Sequence, residues 1–240
     1  KERNNAVSHR IFDSSRGAGK RLFTNSDSAE STHTPAVTSF DSDGFSLGDG
    51  TSVNENSDTY VAWQWAANGG TTSSNTDGDI TTTVQANTTA GFSILTWAGN
   101  GTASQELGHG LGVTPKIMIQ KNRSQSEGWQ IFGSTLFDRL QFDTGAEDAN
   151  LPCTFSSTTI TLPNLSNNNG FNSSGDNFVS YVFAEIKGYS KFGIYTGNGT
   201  GSFGPFANGT FVYTGFKVAW LMIKRLDGTN GWTIFDSVRD

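Results

Sequence analysis

The residues able to do chemistry are few and scattered along the 240-residue chain. Three histidines, His9, His33 and His109, lie in unrelated contexts without the H-x-x-x-H spacing that lets a pair share a metal. His109, between Gly108 and Gly110, reads as a turn histidine hydrogen-bonded to backbone, with a metal ligand as the alternative. No G-x-S-x-G elbow occurs, and Glu106, the acid nearest His109, has no nucleophile beside it. Cys153 is the single cysteine, so it forms no internal disulfide and reads as a small buried hydrophobe. Gly199-Thr200-Gly201-Ser202-Phe203-Gly204 matches G-x-G-x-x-G, but Pro205 follows instead of a helix, so the segment reads as a loop. Asp41-Ser42-Asp43-Gly44 and Asp77-Gly78-Asp79 faintly resemble calcium loops, yet neither has the final glutamate, and Asp-Gly is an expected hairpin corner. Neither a catalytic residue nor a bound cofactor or metal is therefore expected.

The aromatic residues are the remaining candidates. Trp63, Trp65, Trp97, Tyr195 and Tyr213 could stack on sugar rings, and of these Trp63, Trp97, Tyr195 and Tyr213 are taken as candidate ligand contacts. The competing reading is core packing. Trp63 and Trp65 share one face of a strand, and aromatic residues recur at the matching positions Tyr181 and Phe183.

The elements that must position these residues are short strands. Asx-Gly pairs such as Asp43-Gly44, Asn68-Gly69, Asn100-Gly101, Asn169-Gly170 and Asn230-Gly231 mark tight hairpin corners, because both residue types tolerate positive φ. Between the corners lie runs rich in β-branched and aromatic residues, at 60–65, 116–120, 178–183 and 210–213. The best helical candidate, residues 134–143, has no clear cap. The predicted fold is all-β, with antiparallel sandwich or jelly-roll-like units in tandem.

Composition narrows the function classes. With 12% aromatic but only 16% charged residues and 29 glycines, the chain has the profile of an exposed β-rich surface rather than of a disordered segment. A net charge of −6, with the 16 basic residues dispersed, argues against a nucleic-acid partner. The longest apolar runs, such as 217–223, are strand-sized and argue against membrane insertion. Lys1 is followed by nothing resembling a secretion signal, and the chain reads as a fragment of something longer.

Self-similarity organises the rest. Gly128-Trp129-Gln130-Ile131-Phe132-Gly133-Ser134 matches Gly231-Trp232-Thr233-Ile234-Phe235-Asp236-Ser237, with a third copy at Arg10-Ile11-Phe12-Asp13-Ser14. Phe92-Ser93-Ile94-Leu95-Thr96 recurs as Phe192-Gly193-Ile194-Tyr195-Thr196, Lys116-Ile117-Met118-Ile119 as Trp220-Leu221-Met222-Ile223, and 58–66 as 176–184. A period of roughly one hundred residues implies domain-sized units rather than a solenoid. The expected organisation is a partial repeat at 1–66, a polar linker at 67–90 with one short strand near 80–84, a complete repeat at 91–190 and the start of a further repeat at 191–240. Partial repeats leave strand edges open, so the two are expected to complete each other within a chain or between subunits.

These blocks together resemble a repeat domain of tail-fibre and virion structural proteins from tailed, especially marine, phages. The resemblance is carried by 92–102, by the Gly108-His109-Gly110-Leu111-Gly112-Val113-Thr114-Pro115 turn, by 121–132, by 39–48 and by the 184–193 junction. It implies a virion location, a non-enzymatic role in host attachment, and a homo-oligomer, with a trimer favoured, whose partners are copies of itself, other virion proteins or a host-surface glycan or protein. A lectin-like carbohydrate-binding module is the alternative, with a glycan depolymerase third.

Overall fold

A computed structural model describes residues 1–142, 147–148, 150–166, 170–200 and 208–238, and regular structure among them is almost all strand. The first repeat carries β1 (Arg10–Ile11), β2 (Lys20–Phe23), β3 (Ser31–Thr32), β4 (Val37–Phe40) and β5 (Phe45–Leu47), then one helical turn, α1 (Thr51–Asn54). There follow β6 (Ser73–Asn75), β7 (Thr82–Asn87), β8 (Phe92–Ala98), β9 (Glu106–Gly108), β10 (Ile117–Asn122), β11 (Gln130–Gly133) and β12 (Arg139–Gln141). The chain continues through β13 (Thr154–Phe155), β14 (Thr159–Thr161) and β15 (Asn177–Phe183), and the last repeat holds β16 (Trp220–Ile223) and β17 (Thr233–Asp236).

The central body is an antiparallel β-sandwich. A seven-stranded sheet in the order β12-β11-β10-β15-β8-β7-β6 faces a three-stranded sheet in the order β13-β14-β9. Alternation along each strand decides which side chains lie between them. On β8, Leu95 and Trp97 point into the sandwich with Met118, Phe132, Phe178 and Val182 of neighbouring strands, against Leu107 and Ile160 of the small sheet. Phe92 and Ile94, one step out of phase, join Val179, Tyr181 and Trp129 on the opposite face. That outer face is not left to solvent: Leu22 of the first repeat is fully buried against it, with Ile11 alongside. β15 is thus covered on both sides, which is why its sequence Asn-Phe-Val-Ser-Tyr-Val-Phe shows no polar face.

The expected linker at 67–90 is corrected by this topology. Its residues supply β6 and β7, the last two strands of the large sheet, with Val84 paired to Leu95. Ile80, Thr82 and Val84 alternate inward and are buried, so a β-branched period of two lay hidden in a composition rich in Gly, Ser and Thr. The 134–143 segment, the best helical candidate, contributes β12 instead, and its Asp143 lies outside the described residues. So do Asn169 of one expected corner and residues 201–204 of the 199–204 loop.

Hairpin geometry recurs between repeats. β10 and β11 pair as Ile117↔Gly133, Met118↔Phe132, Ile119↔Ile131 and Gln120↔Gln130. Adding 103 to every number gives Trp220↔Asp236, Leu221↔Phe235, Met222↔Ile234 and Ile223↔Thr233, the observed pairing of β16 with β17. The sequence match of 116–119 with 220–223 is therefore one residue out of register: Ile117, not Lys116, corresponds to Trp220. In the first repeat Arg10↔Phe23 and Ile11↔Leu22 reproduce Gln130↔Gln141 and Ile131↔Leu140, at offsets of 130 − 10 = 120 and 141 − 23 = 118. Arg3 N–H donates to Thr59 O (2.8 Å) as Arg123 N–H does to Asn177 O (2.7 Å), which makes 59–65 the counterpart of β15.

Other expected equivalents are not strands. Of residues 60–65 only Tyr60 is bridged, to Glu2, and 192–196 and 210–213 carry no ladder. β8 is held by β7 on one side and β15 on the other; no strand flanks 192–196 in that way among the described residues.

Candidate functional site

The four aromatic candidates fall into three environments. Trp97 is a core residue and no ligand contact: it is buried and stacks on Phe178, with ring centroids 5.2 Å apart and planes at 13°. Its strand alternation points it between the sheets, where no ligand reaches. Trp63 is half-buried and meets Trp220 edge to face with ring centroids 6.4 Å apart, and the Trp65 centroid lies 5.8 Å from that of Trp220 and 6.1 Å from that of Phe183. Tyr195 and Tyr213 are exposed, at 49% and 78%.

The two tyrosine segments run beside each other. Thr210 Oγ1 donates to Thr196 O (3.3 Å), and Asn198 Nδ2 and Thr200 Oγ1 both donate to Asn208 O (2.7 and 2.8 Å). This apposition sets Tyr195, Tyr213 and Phe211, which is 86% exposed, on one stretch of surface. A shallow groove bounded by Phe211, Tyr213 and Phe216 continues it. Phe211 was hidden in a run read only as a strand. Flat apolar rings held open beside amide and hydroxyl groups suit stacking on a sugar or packing against a protein.

Charged groups are concentrated elsewhere, where the first repeat covers the large sheet. Arg16 donates through Nε to Asp13 Oδ2 (2.5 Å), through one terminal nitrogen to Glu30 Oε2 (3.0 Å) and through the other to Tyr181 OH (3.2 Å). Tyr181 OH in turn donates to Asp13 Oδ2 (2.6 Å), and Arg123 grips both oxygens of Glu30 at 2.9 Å. Burial drives the Tyr181 phenol far above its ordinary value, so it stays a donor. Burial alone would raise Glu30, but hydrogen bonds from Arg123 and then Arg16 outweigh it and hold the carboxyl low. Every carboxylate in the network is committed to an arginine, and a proton-transfer role would need a free one. The network clamps two repeats together. The bonds that join the repeats span 93 to 168 positions, so no local pattern could announce the clamp.

Three further buried groups have structural explanations. Lys121 lies fully buried in β10, and its Nζ donates to Asn122 O (2.6 Å) and Gln125 O (3.2 Å); burial pulls the amine down to about 8. The lysine recurs: Lys1 Nζ donates to Asn5 O (3.0 Å) and Lys224 Nζ to Gly228 O (2.8 Å), each spanning four residues. His109 is also buried, accepting from Leu111 N–H at Nδ1 (3.2 Å) with Nε2 3.4 Å from Ser156 O. Burial lowers its pKa and favours the neutral ring, as expected of a turn histidine with backbone partners. Cys153 is packed in the sandwich with its thiol pushed well up by burial, which suppresses the reactive thiolate. Among the described residues no group of three or more His, Cys, Asp or Glu is placed to hold a metal ion, and no helix is long and apolar enough to cross a membrane.

Comparison with known families gives one result, a sequence profile that matches residues 1–240 from end to end. The chain belongs to the family described as a domain of unknown function, DUF7483. No curated protein and no solved structure matches it.

Proposed function

We propose that this DUF7483 chain is a non-enzymatic virion module of the tail-fibre or receptor-binding kind, a β-repeat array that displays contact surfaces for host attachment. The observation that carries the reading is the recurrence of two paired registers of the middle repeat, β11 with β12 again as β1 with β2 in the first repeat, and β10 with β11 again as β16 with β17 in the last. Repetition of one β unit presents similar loops several times over, which suits a multivalent contact surface on an appendage. The resemblance to tailed-phage repeat domains supports the same role, with copies of the chain as partners and a trimer favoured. Immunogold labelling of phage particles encoding the chain tests it. Label along tail appendages is expected; label absent from purified particles overturns the proposal, and light scattering of the purified 25.7 kDa chain reports the stoichiometry.

The exposed Tyr195, Phe211 and Tyr213 surface favours carbohydrate binding as a second reading. Glycan-array signal that is lost in Tyr213→Ala supports a sugar platform. Signal unchanged by that substitution moves the contact elsewhere.

A further inference from the structure

Two boundaries separate the three repeats, and the same hydrogen bonds cross both. At the first, Trp129 Nε1 donates to Phe23 O (2.7 Å) and Glu30 N–H donates to Arg123 O (2.9 Å). At the second, Trp232 Nε1 donates to Gln141 O (2.9 Å) and Glu147 N–H donates to Leu226 O (2.8 Å). The downstream members correspond at the hairpin offset of 103: 129 + 103 = 232 and 123 + 103 = 226. The upstream members correspond at 141 − 23 = 118, the offset of the β2 and β12 pairing, and at 147 − 30 = 117. Each tryptophan follows the loop cross-braced by the repeated lysine, so the loop that carries the donor is built alike at both boundaries.

We infer that successive repeats dock through one heterologous joint, in which the hairpin and glutamate-bearing loop of one repeat receive the Lys-to-Gly-Trp loop of the next. The partner that fits either face is another repeat of the same kind. The shared hydrogen bonds end on main-chain carbonyls, so the joint tolerates sequence change around it and needs chiefly the indole N–H. The ion pairs are an addition particular to the first boundary: Arg123 holds Glu30 there, whereas Leu226 stands at the corresponding place in the second. A head-to-tail joint repeated with the same contacts generates a regular array. This inference does not depend on what the array binds.

Hydrogen–deuterium exchange on the whole chain tests it. Trp232→Phe keeps an apolar ring but removes the donor, and the loss of this partly buried hydrogen bond is expected to speed exchange of Trp220–Ile223 and Thr233–Asp236 about tenfold. Exchange in Phe92–Ala98 and Asn177–Phe183 should stay as it was. Leu226→Arg provides the converse: an arginine at the place of Arg123 should pair with Glu147 and slow exchange of the same hairpin, an effect removed by Glu147→Gln. An unchanged or uniformly faster profile in Trp232→Phe, or no slowing in Leu226→Arg, overturns the joint.

Discussion

Lys121 shows how a side chain with the look of a reactive amine is explained by its repeat. It is fully buried, its ammonium is spent on two loop carbonyls, and lysines at matching places brace the other two loops. Burial lowers its pKa to about 8, still above neutrality, so at pH 7 the amine is protonated in folded and unfolded chains alike. Between about 8 and the free lysine value of about 10.5 the folded chain has released the proton while the unfolded chain retains it. Folding stability from this group therefore rises with pH across that window, by at most about 3 kcal/mol. Thermal unfolding at pH 7 and pH 10 should show this rise in the native chain and not in Lys121→Met. Equal pH dependence in both would mean that the amine is not held in a low-dielectric site.

The hairpins of the first and last repeats differ in what secures them, and this difference gives an element-level expectation. β1 and β2 are short and marginal alone. They hold because Leu22 is buried under the large sheet and because Arg16 and Glu30 lock to Tyr181 and Arg123. A carboxyl held low contributes stability that is present above the unfolded glutamate value of about 4.3 and is lost as pH falls through the folded value. Amide protection by NMR, corrected for intrinsic exchange, should therefore fall in Arg10–Ile11 and Lys20–Phe23 between pH 6 and pH 3.5, while Asn177–Phe183 keeps its protection. Glu30→Gln should loosen the same hairpin already at pH 6. Simultaneous loss in all strands on acidification would show that the network is not what couples the first repeat to the sheet.

For the molecule as a whole, the open question is how the partial first and last repeats are completed. Residues 59–65 occupy the place of β15 and β16 that of β10, and in the middle repeat those two strands are paired, Ile117 opposite Phe183 and Met118 opposite Val182. The corresponding residues of the partial repeats are Trp220 and Trp65, then Leu221 and Gln64. Trp65 already meets Trp220 at 5.8 Å, so the first and last repeats approach each other within one chain as these paired strands do. A Gln64→Cys/Leu221→Cys chain is expected to form an intramolecular disulfide under mild oxidation, read by non-reducing electrophoresis of the monomer fraction. Disulfide-linked dimers instead would mean completion between chains, and no disulfide in either form would reject both.

Much was legible in the order of residues because the signals are local. Gly-Trp followed by an apolar run marks the same strand wherever it occurs, Asx-Gly pairs mark corners, and aromatic and β-branched runs without helix caps leave an all-β fold as the outcome. Recurrence of these blocks is a sequence-level signal too, and two of them form strands paired in the same way as their counterparts. What the order of residues did not decide was everything that depends on partners far along the chain. Trp97 and Tyr213 are both aromatic residues beside turns, yet one is sealed between two sheets and the other stands in solvent. Residues 67–90 look like a linker until Val84 finds Leu95 across the ladder. The one-residue register error at 220–223 could be seen only once the pairing with 233–236 was fixed, because apolar residues slide past one another in a sequence match, whereas backbone hydrogen bonds admit one register. Tertiary structure alone brought Asp13, Arg16, Glu30, Arg123 and Tyr181 together, since burying a charge is tolerable only where its counter-charges converge in space.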